Sequence, residues 1–273
     1  MRERAMLLRM AHPLAGIRLK IIRALDDLQL LYEEGRKYLS TDPHGLRFEV
    51  YTDKGERRVR ALLVVKEPPP PALGILAGEA VYHLRGALDH LVYQLALLNV
   101  PDPSGTQFPL ALDERIYRTI APGKKRSPRA SMLNGVREEH RAIIDEFQPY
   151  HDGARARVNP LYVIGQFANI DKHRFIQAAF GRPDSIKVEP TEDGVELDLR
   201  LPDLKPPIND GAELFNVRWI EGYPDVPMKY SVRFTLAYGT GRPDYVSRMY
   251  LVFAGERIHE IITEVERRVP ALQ

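Results

Sequence analysis

Residues 71–100 read PALGILAGEAVYHLRGALDHLVYQLALLNV, with no proline after the first residue. Leu76, Val81, Leu84, Leu88, Leu91, Leu95 and Leu98 recur near i, i+3/i+4, i+7 spacing, so the segment is a long helix with one face in a core. The stiff run Pro68–Pro71 delivers the chain to it. One helix cannot bury its own apolar stripe, so further helices must pack on it. Leu14–Leu39 carries the same period at Ile17, Ile21, Leu25, Leu28, Leu31 and Leu39. A short helix is expected over Glu114–Ile120. Asn134 is read as the cap of a helix through Val136, Ile143, Ile144 and Phe147 that ends near Gln148-Pro149-Tyr150. Asn159-Pro160 reads as an N-cap and first-turn proline opening a helix, LYVIGQFANIDKHRFIQAAF, that runs to Phe180.

Elsewhere the period falls to two. LRFEVYTDKGERRVRALLVVKE alternates at Phe48, Val50, Val59, Ala61, Leu63 and Val65 around an Asp53-Lys54-Gly55 turn, which predicts a hairpin at about 46–66. Beyond Ser185, GVELDLRL places Val195, Leu197, Leu199 and Leu201 on one face, ELFNVRWI continues the style, and MKYSVRFTLAY opposes Tyr230, Val232, Phe234 and Leu236 to Lys229, Ser231, Arg233 and Thr235. A terminal helix from near Asp244 carries Phe253, Ile258, Ile261, Ile262, Val265 and Val269. The expectation is α+β: an antiparallel helical bundle over 1–180 with an inserted N-terminal β-hairpin. An antiparallel sheet with a terminal helix over 181–273 packs on the bundle or continues it.

Composition removes several functions. At 273 residues, 44% apolar and 28% charged, the chain is long enough for a substantial core and has no run near the roughly 18 to 20 apolar residues of a membrane span. With no cysteine, disulfides, thiolate metal sites and cysteine nucleophiles are excluded. The opening MRERAMLLRMAHP has an apolar run broken by Arg9, too short for a signal peptide, and a cytoplasmic location is expected. A net charge of +2 gives no strong global field toward nucleic acid. Lys124, Lys125, Arg126 and Arg129 nevertheless cluster in one expected loop, read either as a solvated surface or as a phosphate-contacting patch. GxGxxG after a strand, GxxxxGK[ST], HExxH and GxSxG are all absent, which disfavours nucleotide-dependent and serine-hydrolase chemistry.

Chemistry-bearing residues concentrate on the long helix. At about 100° per residue, Glu79, His83 and His90 lie within roughly 40° of one another, and Tyr82, Arg85 and Asp89 form the neighbouring stripe. Arg85 and Asp89 are spaced as an i, i+4 ion pair. In one reading Asp89 holds Arg85, Glu79 holds His83, and the pairs only satisfy polar groups in an interaction or structural module. In another they line a cleft between helices or subunits. A third uses Glu79, His83, His90 and His173 as ligands of a metal-binding bundle, although paired Glu-x-x-His motifs are missing. A second cluster, Asn169-Ile-Asp-Lys-His-Arg174, sets Asn169 and His173 at i, i+4, with Gln166 and Tyr162 near the same face.

These motifs carry a resemblance. GEAVYHLRGALDHLVYQLA, then Phe108-Pro109-Leu110, Gln148-Pro149-Tyr150 and Asp171-Lys172-His173-Arg174, resembles in order a family of uncharacterised bacterial proteins typified by HNLRSALDH and DKHR motifs. It spans roughly residues 14–180 and brings no function with it. Arg85 and His90 also resemble the Arg-x4-His element of the HEPN superfamily. That resemblance implies a HEPN-like bundle acting as a homodimer, with no cofactor and no metal, that cleaves or binds RNA. In it His90 would manage the 2′-hydroxyl proton and Arg85 the phosphorane charge, supported by Glu79, His83, Asp89, Asn169 and His173. Five residues apart, Arg85 and His90 diverge by about 140° on one helix, so both reach one phosphate only where the cleft wraps the helix or a second protomer contributes.

Overall fold

A computed structural model describes residues 12–172, 174, 176–191, 196–219, 228–239 and 245–273. It is mixed α+β and divides into two compact units interleaved along the chain. The first comprises the described residues of Met1–Leu30, Leu76–Phe175 and Met249–Gln273, and the second those of Leu31–Ile75 and Ile176–Arg248. The division expected at residue 180 is thus corrected. The hairpin belongs with the later strands, and the terminal helix belongs with the earlier helices.

The helical unit is built on α1 (Ala15–Leu39), whose residues through Leu30 lie in it, and α2 (Pro71–Leu97), which enters it at Leu76. Ile17, Ile21, Ala24 and Leu28 of α1 are buried, as are Val81, Leu84, Leu88, Leu91 and Leu95 of α2, at the expected helical spacing. Three short helices follow, α3 (Glu114–Arg118), α4 (Pro128–Met132) and α5 (Glu138–Glu146), then a 3₁₀ segment at Pro149–Val158. Arg137, not Asn134, is the N-cap of α5. The Asn159-Pro160 signal starts α6 (Pro160–Asp171) as expected, with the Asn159 carboxamide accepting from the Leu161 and Tyr162 N–H groups. The last helix, α7 (Arg248–Arg268), buries Ile258, Ile261, Ile262 and Val265; Asp244, its expected start, lies outside the described residues. Gly255 of α7 brings its backbone within ordinary contact of Leu84 and Leu25, 3.5 and 3.7 Å from where a Cβ would sit.

The second unit holds two antiparallel sheets. β1 (His44–Asp53), β2 (Glu56–Val65), β4 (Leu199–Arg200) and β5 (Glu213–Arg218) form one in the order β1-β2-β5-β4. β3 (Gln177–Pro190), β6 (Met228–Gly239) and β7 (Val246–Ser247) form the other in that order. The hairpin closes through Lys54 and Gly55 with φ of 49° and 85°, the two left-handed residues that a tight two-residue turn requires. Two further expectations are corrected. The helix expected to reach Phe180 ends at Asp171, and Gln177–Phe180 are strand, paired with Leu236–Gly239. GVELDLRL yields only the two-residue β4, with Leu201 exposed and Val195 outside the described residues. Arg58, fully buried in β2, ties the first sheet together. Its Nε donates to the Asn216 Oδ1 at 2.7 Å, Nη1 to the Asp198 carboxylate at 2.7 Å and Nη2 to the Asp198 carbonyl at 2.9 Å.

Each unit holds a histidine whose buried Nδ1 has no hydrogen-bond partner: His140 in the helical unit and half-buried His44, edge-on to Phe180 and Phe234, in the other. Burial lowers both pKa values from 6.5; near His44, Asp42 opposes this and Lys66 adds to it, and near His140, Glu139 opposes and Arg137 adds. The unfolded chain therefore takes up these protons first. Their contribution to stability is complete above the unfolded value of 6.5 and is lost as pH falls below it. Urea midpoints at pH 7.5 and 5 should show a lower midpoint in acid, and His44→Phe should flatten part of that limb. Equal midpoints at the two values would show that neither ring is held neutral.

Candidate functional site

The centre of α2 divides its polar residues between two faces. On one, the Arg85 guanidinium is 9% exposed; its Nη2 donates to Asp89 Oδ1 at 2.6 Å and to the Phe108 carbonyl at 2.7 Å, and its Nε to Asp89 Oδ2 at 3.2 Å. The Phe108 N–H donates in turn to Asp89 Oδ1 at 2.9 Å. One turn of helix thereby grips both backbone polar groups of a single loop residue, and the Phe108 ring is buried beside it. The i, i+4 pairing read from the sequence is present, and its target is the Phe-Pro-Leu element. Burial pulls the Arg85 pKa down and Asp89 opposes it, yet a guanidinium remains charged at neutral pH.

Arg85 Nη1 has no hydrogen-bond partner among the described residues, and the residue lines an open cavity of about 120 Å³. Gln107, Tyr162, Gln166 and Asn169 line it together with Phe108, Leu110 and Met132, and Gln166 and Asn169 are exposed. No side-chain hydrogen bond joins those three carboxamides or the Tyr162 hydroxyl to another described residue, so their donors and acceptors are free for a ligand. The chain folds this way because α6 presents Tyr162, Gln166 and Asn169 at i, i+4, i+7 on one face. Gly165 leaves room beside them for Leu110, whose Cδ1 lies 2.5 Å from where a Cβ would be.

His90 is exposed and is not part of this cavity. Burial is the larger cause lowering its pKa, with Lys20 the next, while Asp89 opposes. Lys20 of α1 lies over the ring of Tyr82, Nζ 5.5 Å from its centroid, and Tyr82 is 65% exposed. Gly86 permits this, since Lys20 Nζ sits 3.2 Å from its would-be Cβ. Lys20, Tyr82 and His90 thus mark a second, wetter face, and Arg85 and His90 do not share a pocket within one chain.

Of the supporting residues, Glu79 is exposed and His83 is half-buried with its Nδ1 unpaired. Both act on Asp27 of α1, which is 1% exposed, bonded through Oδ1 to Arg23 at 3.0 Å and unpaired at Oδ2. Burial raises the Asp27 pKa; Arg23 lowers it, Glu79 raises it and His83 lowers it. Among the described residues no three His, Asp or Glu side chains converge as metal ligands do; His173 lies outside the described residues. Neighbouring Asp171 packs its carboxylate against Gly78, 3.0 Å from the position of a Cβ, joining the two motifs that the sequence set about 90 residues apart.

Lys124, Lys125 and Arg126 are exposed, with Arg126 Nη1 donating to the Asn134 side chain. Arg129 is a correction to the basic patch. Its guanidinium bonds the Glu138 carboxylate at 2.6 and 3.1 Å and that of buried Asp145 at 2.9 Å, and Tyr117 donates to Asp145 from the far side. The Glu138 hydrogen bonds are the first cause holding the Arg129 pKa above its ordinary value, so this side chain is committed to architecture. Sequence reasoning missed Gln107, Met132 and Lys20. Gln107 carried a signal, since it adjoins the Phe108-Pro109-Leu110 element; Lys20 carried none. Among the described residues, no helix is long and apolar enough to cross a membrane. Set beside known proteins, the chain matches no protein-family model, no curated protein and no solved structure.

Proposed function

We propose that this is a metal-independent RNA-binding protein with a HEPN-like helical unit that works as a homodimer, and that α2 carries the binding surface. The observation that carries the reading is the Arg85 guanidinium, nine-tenths buried and fixed by Asp89, with Nη1 uncommitted at the edge of a cavity lined by free carboxamides. A buried, oriented arginine beside idle amides, two of them open to solvent, is the arrangement a polar ligand would use. Beside it, the exposed Tyr82 ring under Lys20 supplies the aromatic and cation of a single-strand stacking platform, and Lys124, Lys125 and Arg126 add phosphate contacts. Cleavage asks more. Arg85 and His90 face different ways, so a cut requires His90 of one protomer to meet Arg85 of the other.

The competing reading is a non-catalytic interaction module, favoured by the two bonds that tie Arg85 and Asp89 to the Phe108 backbone. Titration of a labelled single-stranded RNA in EDTA separates them. Binding that weakens with salt, and weakens at least fivefold in Lys20→Ala/Tyr82→Ala, supports RNA as the ligand. Failure to bind diverse RNAs at low salt overturns it in favour of the module. In the same reactions, cleavage that is lost in His90→Ala would add catalysis, and intact RNA would confine the protein to binding.

A further inference from the structure

We infer that the Arg85 cavity receives one unpaired nucleobase, with a carbonyl edge on Arg85 Nη1, rather than a phosphate of the backbone. The inference rests on the RNA-binding reading above and assigns its central contact. Charge decides first. Asp89 meets the guanidinium at 2.6 and 3.2 Å, and among the described residues no second cationic side chain lines the cavity. A phosphate entering here would face an arginine already neutralised, with a carboxylate beside it. Half-buried Lys20 and exposed Lys124–Arg126 are better phosphate partners, because no described carboxylate pairs with them.

Chemistry decides next. Gln107, Gln166 and Asn169 each offer a planar N–H₂ donor and a C=O acceptor, the same complement that a base edge presents. Phe108, Leu110 and Met132 contribute the smaller, apolar part of a mostly polar lining. Size agrees as well. About 120 Å³ is well below the roughly 300 Å³ and upward of ordinary ligand pockets, and suits one ring rather than a whole nucleotide. Nη1 can only donate, so the group facing it must accept. Uracil, guanine and cytosine bring a carbonyl oxygen there; adenine accepts only through ring nitrogens, and beside N1 or N7 its N6–H₂ donor would face the guanidinium.

The test is fluorescence anisotropy of the full chain in EDTA with three labelled eight-nucleotide RNAs: U8, A8 and an abasic ribose-phosphate backbone. U8 is expected to bind roughly tenfold more tightly than A8 and the abasic strand. Gln107→Ala/Asn169→Ala is expected to erase that preference while keeping the affinity common to all three strands. Equal binding of U8, A8 and the abasic strand overturns the base site and leaves the RNA-binding reading standing; no binding of any strand overturns both. Thermal melting with free ligands decides the same point without a strand, because a ligand that binds only the folded chain raises the Tm. Uridine raising the Tm where inorganic phosphate does not supports a base in the cavity. Phosphate raising it where uridine does not makes the cavity an anion site and overturns the inference.

Discussion

Asp89→Ala is expected to lower unfolding stability by about 3 kcal/mol, far more than the ~0.3–0.5 kcal/mol of an ordinary exposed i, i+4 pair. The carboxylate holds two groups. Its loss leaves a nine-tenths-buried guanidinium without a counter-charge and the Phe108 N–H without an acceptor. Breaking a buried pair from one side costs about 3–5 kcal/mol. The Asp89 side chain is 31% exposed, so water can reach the vacated place and keep the loss at the low end. Asp89→Asn retains an oxygen for Phe108 and should lose about half as much, since the charge alone is gone. Arg85→Met/Asp89→Leu should be less harmful than Asp89→Ala because no lone charge remains inside. Urea denaturation of the four proteins measures the series, and an Asp89→Ala midpoint equal to wild type would reduce the clamp to a surface pair.

The parts of this molecule that were legible in the sequence are those fixed by neighbours a few residues away. The α2 stripe, the Asn159-Pro160 helix start and the Lys54-Gly55 turn follow from local period, cap and φ requirements, and all three are present. So is the shared face of Tyr162, Gln166 and Asn169, which turns out to be one wall of the cavity. Distant pairing decides what was illegible. Gln177–Phe180 suits a helix well enough, and only the strand Leu236–Gly239 takes it out of one. The hairpin reads as an insertion among helices until β5, some 150 residues later, pairs with β2. Phe48 and Val50 belong to the alternation that marked the hairpin, yet β1 is an edge strand and both are exposed. Charge was misread for the same reason. Arg129 reads as part of a basic loop until Glu138 and Asp145 close around it.

Gly74→Ala should reverse the sign that helix propensity alone assigns to it. In an open helix interior, alanine is better than glycine by about 1 kcal/mol. Gly74 lies in the first turns of α2, and a Cβ there would sit 1.8 Å from the Ile176 carbonyl oxygen and 2.9 Å from its carbon. Both obstructing atoms are backbone, so no rotamer change relieves the clash; the strand-leading segment at Ile176 must move or α2 must unwind locally. Overpacking of this kind costs about 1–3 kcal/mol where side chains can yield, and a rigid backbone obstacle puts the expected loss at about 3 kcal/mol or more. Gly16 in α1 is the matched control, since nothing lies within 4 Å of its would-be Cβ. Gly16→Ala is expected to leave the unfolding free energy unchanged or raise it by a few tenths of a kcal/mol, read from the urea midpoint. If Gly74→Ala behaved as Gly16→Ala does, α2 would not approach the Ile176 backbone this closely. A collapse confined to Gly74→Ala would show that a missing side chain at the start of α2 is what lets the chain pass Ile176 on its way into β3.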